Sequence, residues 1–224
     1  MKKTLLLLTA ILGVNTTNAQ LKFKAGTNIS SISGFIKAET RVFLLKQFNY
    51  EDRTKSKIGL YLGAGYSFNF TENLSITPEI IYSQMGAAGD GYYNNVKESY
   101  SHNYLTLPIF IEYKIVDKLK IGAGPQFNYL LKAKFERDYQ NVPVEYQNTL
   151  VKEIDETDFY YRLNYGITFG ASYTFLRNLS IEARYYLGLN NMLNEDKQFK
   201  STEVITTTEM KNQAFQIGLA YKFH

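Results

Sequence analysis

Alternation between apolar and polar residues is the feature of this sequence that most limits its possible folds. The last stretch, Gln213 to His224, places an apolar side chain at every second position, at Phe215, Ile217, Leu219, Tyr221 and Phe223. Small or polar residues occupy most of the positions between them. A period of two is that of a β-strand, whose successive side chains point to opposite faces. The stretch therefore predicts a strand with one apolar and one polar face.

The same alternation recurs along the chain and predicts eight strands. They cover residues 21–30, 57–70, 74–83, 105–114, 119–132, 161–175, 179–189 and 213–224. Short turns at 71–73, 116–118 and 176–178 alternate with long connections at 32–56, 86–101, 134–158 and 190–212. Within the first connection, the run Val42 to Leu45 is compatible with an extended strand or a short helix. An even number of strands with alternating short and long links predicts an all-β, antiparallel up-and-down barrel.

Three prolines lie inside these predicted strands, at Pro78, Pro108 and Pro125. Proline cannot donate a ladder hydrogen bond, and a closed barrel has no edge strand where that loss would be harmless. We therefore expect β-bulges at these positions.

Charged residues are sorted between the two faces of the predicted strands. The apolar rows contain no Asp, Glu, Lys or Arg, whereas the opposite rows contain Lys22, Lys24, Glu79, Glu112, Lys114, Lys120, Arg162, Glu182, Arg184 and Lys222. This sorting predicts a transmembrane barrel whose apolar face meets lipid. The alternative is a soluble, lipocalin-like carrier with the apolar rows turned inward around a ligand.

The interior of an eight-stranded barrel has room for little more than its own side chains. We expect the inner charges to pair, because a buried charge without a partner is costly. The expected interior charge network consists of Lys24, Glu79, Glu112, Lys120, Arg162, Glu182, Arg184 and Lys222. An ion path or a pair of catalytic carboxylates is the alternative interpretation of these residues.

The amino terminus is typical of a secretory signal peptide. Lys2 and Lys3 precede an apolar run from Leu5 to Val14, and the small residues Thr17 to Ala19 suit a cleavage site. We expect residues 1–19 to be the signal and residues 20–224 to form one barrel domain. The apolar run is too short to cross a bilayer as a helix.

Composition argues against a lipoprotein and against nucleic-acid binding. The chain has no cysteine, so it has neither a disulfide framework nor a lipid-modified cysteine. Removing Lys2 and Lys3 with the signal lowers the basic residues from 25 to 23, against 21 acidic ones. This near balance gives no indication of nucleic-acid binding. The chain has 19 Tyr and 15 Phe, yet a mean hydropathy of −0.27, as expected for strands with one polar face.

The carboxy-terminal strand carries a further pattern. Gln216, Gly218, Tyr221 and Phe223 resemble the terminal recognition signal of bacterial outer-membrane barrels. This resemblance implies that the chain lies in the outer membrane, and that its partners are outer-membrane lipid and the barrel-assembly machinery.

The long connections contain residues of the types that catalytic and metal sites use. Ser101, His102 and Asp90 could be drawn as a catalytic set, but adjacent residues on a strand point to opposite faces, which places Ser101 and His102 badly for proton transfer. The acidic stretch Glu153 to Asp158 could bind a divalent cation, but it lacks the spacing of a calcium loop and suits a solvated loop better. We expect no catalytic, cofactor-binding or metal-binding residues.

Three sequence segments resemble a known family. They are Tyr104 to Tyr113, Gly122 to Leu131, and the phrase Asn-Leu-Ser-Ile that begins at Asn73 and again at Asn178. On these segments the chain resembles the PorT-like small outer-membrane β-barrels of Bacteroidetes. The resemblance implies an eight-stranded outer-membrane barrel, and it raises association with type IX-like secretion as an expectation.

The sequence therefore predicts a non-enzymatic integral outer-membrane barrel that acts as a scaffold or surface-interaction protein. Its expected partners include components of a secretion system or surface lipoproteins. The competing hypotheses are a loop-based hydrolase or acyltransferase of the outer membrane and the soluble periplasmic carrier.

Overall fold

The computed structural model describes residues 19–40, 48–49, 54–90, 97–139, 153–194 and 204–223. Ten strands and one 3-10 helix, Thr157–Phe159, lie in these ranges. The strands are β1 Ala19–Thr40, β2 Phe48–Asn49, β3 Thr54–Asn69, β4 Leu74–Asp90, β5 Lys97–Val116, β6 Leu119–Asp138, β7 Glu153–Asp155, β8 Leu163–Leu176, β9 Leu179–Gly188 and β10 Val204–Lys222. In this part of the chain, no helix is long and apolar enough to cross a bilayer.

Eight of the strands form a closed antiparallel barrel. Consecutive wall strands pair with one another, and the first strand pairs with the last, β10, in continuous register from Lys22↔Lys222 to Thr40↔Val204. The short strands β2 and β7 lie outside this cycle and pair with β1 and β6. The predicted eight-stranded up-and-down barrel is confirmed.

The two ends of the barrel differ. The links at 70–73, 117–118 and 177–178 lie at the same end as residues Ala19 and Phe223, and we call this the turn end. The opposite end, where the long connections leave the wall, is the loop end. The strands extend further toward the loop end than the sequence predicts; β1, for example, continues to Thr40 instead of ending at Ser30. The expected signal peptide up to Asn18 and the Val42 to Leu45 run lie outside the described residues.

The outer surface of the wall carries an apolar belt. On β5, the outward side chains Leu107, Ile109, Ile111 and Tyr113 are 42–50% exposed. Their inward neighbours Pro108, Phe110 and Glu112 are buried. Soluble monomers rarely expose apolar patches larger than a few hundred Å². The apolar rows thus point away from the barrel axis, which contradicts the alternative of a soluble carrier with an apolar cavity.

A polar row marks the upper edge of this belt. Gln84, Asn103 and Lys132 are adjacent in register on β4, β5 and β6, on the side of the wall toward the loop end. Below them, the outward row of β5 is apolar from Leu105 to Ile115. That length matches the roughly 9–11 residues that a tilted strand needs to cross a bilayer.

One β-bulge changes which side chains face the interior. The pairing of β5 with β6 shifts between Asn103↔Lys132 and Tyr104↔Leu130, so that Leu131 is the extra residue. Leu131 and Lys132 are both exposed, and Leu130 and Ala133 are buried. Strict alternation along the predicted strand 119–132 would turn Lys132 inward with Lys120, but the bulge reverses the alternation and Lys132 lies on the outer face.

The bulges expected at the prolines are absent. Pro78 pairs with Ile109, Pro108 with Gln126, and Pro125 with Ile167, each without a shift in register. The barrel accepts the missing donor at each proline without inserting a residue.

Candidate functional site

Six charged side chains form a layer inside the barrel toward the turn end, which we call the charge network. Its members are Lys22, Lys24, Glu79, Glu112, Glu182 and Arg184, and all six are buried. β1 supplies the two lysines, β4 and β5 supply one glutamate each, and β9 supplies the remaining glutamate and the arginine. They converge because each lies at an inward-facing position of its strand, and the barrel is narrow enough for opposite walls to touch.

Glu79 is the most enclosed member of the network. Arg184 donates two hydrogen bonds to it, from Nη1 to Oε2 at 2.7 Å and from Nη2 to Oε1 at 3.0 Å. Lys24 Nζ lies 2.7 Å from Glu79 Oε1. Cations therefore engage both carboxylate oxygens, and the two-point contact with the guanidinium fixes the orientation of both groups.

Glu182 connects the two lysines. Its Oε1 lies 2.5 Å from Lys22 Nζ, and its Oε2 lies 2.7 Å from Lys24 Nζ. Arg184 Nη2 is 3.1 Å from the same Oε2. These contacts inside the lumen thus join β1 to β9, which are separated in the wall only by β10.

Contacts at the edge of the network complete its charge balance. Glu112 lies 3.7 Å from Lys22 Nζ and accepts a hydrogen bond of 3.3 Å from the hydroxyl of Thr77. The guanidinium carbon of Arg184 lies 3.9 Å from the ring centroid of Phe110, a cation–π contact. The three cations of the network face three carboxylates, so the buried charges are paired, as burial requires.

The network contains five of the residues that the sequence assigns to the interior charges: Lys24, Glu79, Glu112, Glu182 and Arg184. Lys120 and Lys222 instead line the lumen at the turn end. Arg162 does not face the interior, which corrects the prediction. It is exposed at the loop end, and its Nη2 lies 3.5 Å from Asp158 Oδ1. Because β8 begins only at Leu163, Arg162 precedes the strand and does not follow its alternation.

The residues of the terminal pattern divide between the two faces of β10. Gln216 is buried and donates a 2.9 Å hydrogen bond to the side-chain oxygen of Asn28. Gly218 pairs with Gly26, and a Cβ built on Gly218 would lie 2.3 Å from the Tyr61 hydroxyl oxygen. These inward positions therefore have a packing role inside the barrel.

Tyr221 and Phe223, by contrast, lie on the outer face. Both are more than 40% exposed, and their rings meet edge to face with centroids 4.7 Å apart. Phe223 also meets Phe23 of β1, at 5.4 Å. Tyr221 and Phe223 thus lie on the outer face of the barrel, where β10 pairs with β1.

An apolar cluster that the sequence did not predict fills the lumen toward the loop end. Its buried members are Ile32, Met85, Ala87, Tyr104, Leu130, Ala133, Tyr160, Tyr186, Met192, Met210 and Ala214. The hydroxyl of Tyr104 accepts a 2.7 Å hydrogen bond from Asn212, so its polar end has a partner. The signal lies in the inward rows themselves, which change from charged residues near the turn end to apolar residues near the loop end.

Two chain segments cover this cluster, residues 156–161 and 192–194, and we call them the cap. The amide of Tyr161 donates to the carbonyl of Met192 at 2.8 Å, and the amide of Asn194 donates to the carbonyl of Phe159 at 2.9 Å. Tyr160 and Met192 are buried and belong to the cluster below. The cap therefore closes the loop end of the lumen with side chains that continue its apolar packing.

The possible catalytic set Ser101, His102 and Asp90 is not assembled as such. The hydroxyl of Ser101 accepts a hydrogen bond from Lys57. His102 is only 1% exposed, and its ring packs 4.7 Å from that of Tyr160, under the cap. Neither ring nitrogen has a hydrogen-bond partner in the described part of the chain. The side chain of Asp90 lies outside the described residues.

The acids of the third connection have partners of their own. Lys134 Nζ lies 2.5 Å from Glu153 Oε1, and the amide of Thr157 donates to Asp155 at 3.0 Å. Hydrogen bonds from the side chain and backbone of Thr157 lower the pKa of Asp155, whereas burial raises the pKa of Glu156. Within the described ranges, no group of three or more His, Asp or Glu side chains is arranged to hold a metal ion.

Comparison with known proteins decides the family. The sequence model of the family described as outer membrane protein beta-barrel domain matches residues 13–194. The chain belongs to this family. It is an outer-membrane β-barrel protein, with the turn end on the periplasmic side and the loop end outside the cell, as in barrels of this class. No curated protein matches the chain in sequence.

Solved structures similar to this outer-membrane barrel include Ail, the attachment invasion locus protein of Yersinia pestis. It is 13% identical, with 92% of this chain and 100% of that chain covered and a TM-score of 0.42. Neisserial surface protein A is 12% identical, with coverage of 92% and 99% and a TM-score of 0.48. OprG from Pseudomonas aeruginosa is 10% identical, with coverage of 92% and 97% and a TM-score of 0.42. Identity this low says nothing about activity.

Proposed function

We propose that the protein is a non-enzymatic, non-conducting barrel that holds its extracellular strand ends and cap in place for contacts with surface partners. The proposal rests on one observation: side chains fill the lumen. The charge network occupies it toward the turn end, and the apolar cluster with its cap occupies it toward the loop end. Barrels with an open channel are built from many more strands.

The part of the wall beyond the belt supports a role at the cell surface. β1 and β10 stay paired from Ile29↔Phe215, within the belt, up to Thr40↔Val204. At about 3.3 Å per residue and a tilt of roughly 40°, the chain rises roughly 25–30 Å between Ile29 and Thr40. Such an extension is not needed to cross the membrane, and it offers a paired backbone to partners outside the cell.

The placement of His102 supports a protein without hydrolase activity. A general base must reach the proton that it abstracts. This imidazole lies beneath Tyr160 and has no hydrogen bond to Ser101 in the structure. A surface-interaction role requires no such chemistry.

Association with protein secretion is the more specific part of the proposal. It is supported by the resemblance of segments such as Tyr104 to Tyr113 to PorT-like barrels of Bacteroidetes, whose namesake is implicated in type IX secretion. On this proposal the partners are a secretion-system component or a surface lipoprotein. The protein would reach the membrane through the barrel-assembly machinery, which would recognise Tyr221 and Phe223 on the outer face of β10.

Two experiments test these proposals. In planar bilayers, the purified barrel is expected to show no conductance of porin size, and steady porin-sized steps would contradict the filled lumen. Affinity capture from detergent-solubilised membranes tests the partners. Recovery of a secretion component or surface lipoprotein is expected with the full chain and is expected to fall when residues of the loop end are replaced. Equal recovery by the full chain and by the loop-end variant would refute a surface role for the loop end.

A further inference from the structure

The turn end of the lumen contains a small cavity below the charge network. Its volume is about 70 Å³, and basic side chains line it, namely Lys22, Lys120, Lys222 and Arg177. Glu112 is the single acid among the lining residues. Since a water molecule takes about 30 Å³, the cavity has room for roughly two waters or one oxyanion group.

The strand register brings like charges together at the cavity and beside it. Lys22 lies directly opposite Lys222, and Lys114 directly opposite Lys120. Like charges at opposite positions of an antiparallel pair destabilise a sheet. The arrangement therefore has a cost that the packing of the barrel does not explain.

Only one lysine of each pair forms an ion pair within the described residues. Lys22 contacts Glu182 and Glu112, and Lys114 Nζ lies 3.8 Å from Asp117. Lys120 and Lys222 form no ion pair within the described part of the chain, and both are only partly exposed. The charge of Lys22 is balanced by that of Glu112. Lys120, Lys222 and Arg177 therefore give the cavity an excess of three positive charges.

The remaining lining residues provide donors of the kind that oxyanions use. Ser172, Thr174 and Ser180 carry hydroxyl groups, and the hydroxyls of Thr174 and Ser180 lie 2.9 Å apart. Lysine binds phosphate as a point charge, and arginine can contact two of its oxygens at once.

We propose that this cavity binds a phosphate group, with Lys120 and Lys222 as its principal cations and Arg177 closing it from the turn. The phosphate belongs either to a lipid headgroup of the periplasmic leaflet or to a soluble phosphate compound of the periplasm. The proposal is independent of the surface role described above, because it concerns the opposite end of the barrel.

The test measures phosphate binding by the full barrel in a phosphate-free, non-ionic detergent. Isothermal titration calorimetry with inorganic phosphate compares the wild type with K120Q/K222Q. The control variant, K97Q/K118Q, removes two exposed lysines that do not line the cavity. We expect saturable binding by the wild type, a loss of affinity of at least tenfold in K120Q/K222Q, and a change of less than twofold in the control. Circular dichroism verifies that each variant is folded, and if the double variant does not fold, K120Q and K222Q are measured singly, with at least threefold loss expected in each.

Three results would overturn the proposal: no saturable binding by the wild type, equal affinity in the wild type and K120Q/K222Q, or an equal loss in the control variant. A second titration adds dioctanoyl phosphatidylglycerol to the phosphate-loaded protein. Displacement of phosphate by this lipid supports the site and assigns it to a lipid headgroup. Phosphate that stays bound supports the site and assigns it to a soluble compound.

Discussion

Replacing Glu79 with glutamine is the sharpest test of the charge network. The substitution keeps the shape of the side chain and removes its negative charge. The side chain of Glu79 is 0% exposed and contacts both Lys24 and Arg184. In E79Q, three buried cations would face two carboxylates. Water cannot reach the unmatched charge to screen it.

The magnitude follows from these contacts. Glu79 receives three charged hydrogen bonds or ion pairs of 2.7–3.0 Å. Such bonds contribute about 1.5–3 kcal/mol each, but E79Q also relieves the cost of burying one carboxylate. Removing one partner from a buried pair has a typical net cost of about 3–5 kcal/mol. We expect E79Q to lower the free energy of unfolding by this amount, roughly a hundredfold to several thousandfold in the equilibrium constant.

The measurement is urea unfolding of the barrel in lipid vesicles, followed by circular dichroism. The matched control is E98Q, which removes the same charge from the exposed pair between Glu98 and Arg137. Such surface pairs contribute about 0–1 kcal/mol. A second variant, E79Q/K24M, restores charge balance and is expected to recover part of the loss.

The reasoning is refuted if E79Q costs no more than E98Q. It is also refuted if the double variant E79Q/K24M is as unstable as the sum of the two single variants, since neighbours in one network should couple by about 0.5–3 kcal/mol.

Three further substitutions test the packing above and beside the network. G218A places a Cβ 2.3 Å from the Tyr61 hydroxyl oxygen; overpacking of this kind costs about 1–3 kcal/mol in urea unfolding, and an unchanged midpoint would show that the wall can move. H102F removes two ring nitrogens that have no hydrogen-bond partner in the described residues. We expect it to raise the free energy of unfolding by about 1–3 kcal/mol without loss of any cell-surface phenotype. Destabilisation would show that the imidazole has a hydrogen-bond partner. E156Q keeps the acceptor for the Tyr160 hydroxyl and removes a carboxylate whose pKa is raised by burial from 4.5. Because a raised pKa means that the native state disfavours the ionised form, E156Q should stabilise the barrel at pH 7. The gain should fade as the pH falls through the raised pKa and be absent below 4.5. Equal gains at pH 7 and below pH 4.5 would show that the stabilisation does not come from removing the buried carboxylate charge.

Alternation alone was enough to predict the wall of the barrel. On β1, β4 and β9, the residues predicted to face inward do so, because a strand without a bulge preserves its two-residue period along its whole length. The convergence of Lys24, Glu79 and Glu182 also follows, since a narrow barrel brings inward charges from opposite strands within reach.

What the sequence did not predict arises where the two-residue period is interrupted or its context changes. The bulge at Leu131 turned Lys132 to the outer face, and no local residue type marks it. Arg162 lies one residue before β8 begins, and strand boundaries depend on pairing partners far away in sequence. The cap was also missed, because Tyr160 and Met192 come together only when two separate connections fold over the barrel.

The charge network also bears on how this chain is made. Lys24 and Glu182 are 158 residues apart, so their contact exists only after the first and last parts of the barrel have met. A half-built sheet would hold its lysines and glutamates near water or lipid without their counter-charges, and would gain nothing from them. The network therefore stabilises only a barrel that has closed in the correct register, and it favours that barrel over misassembled forms.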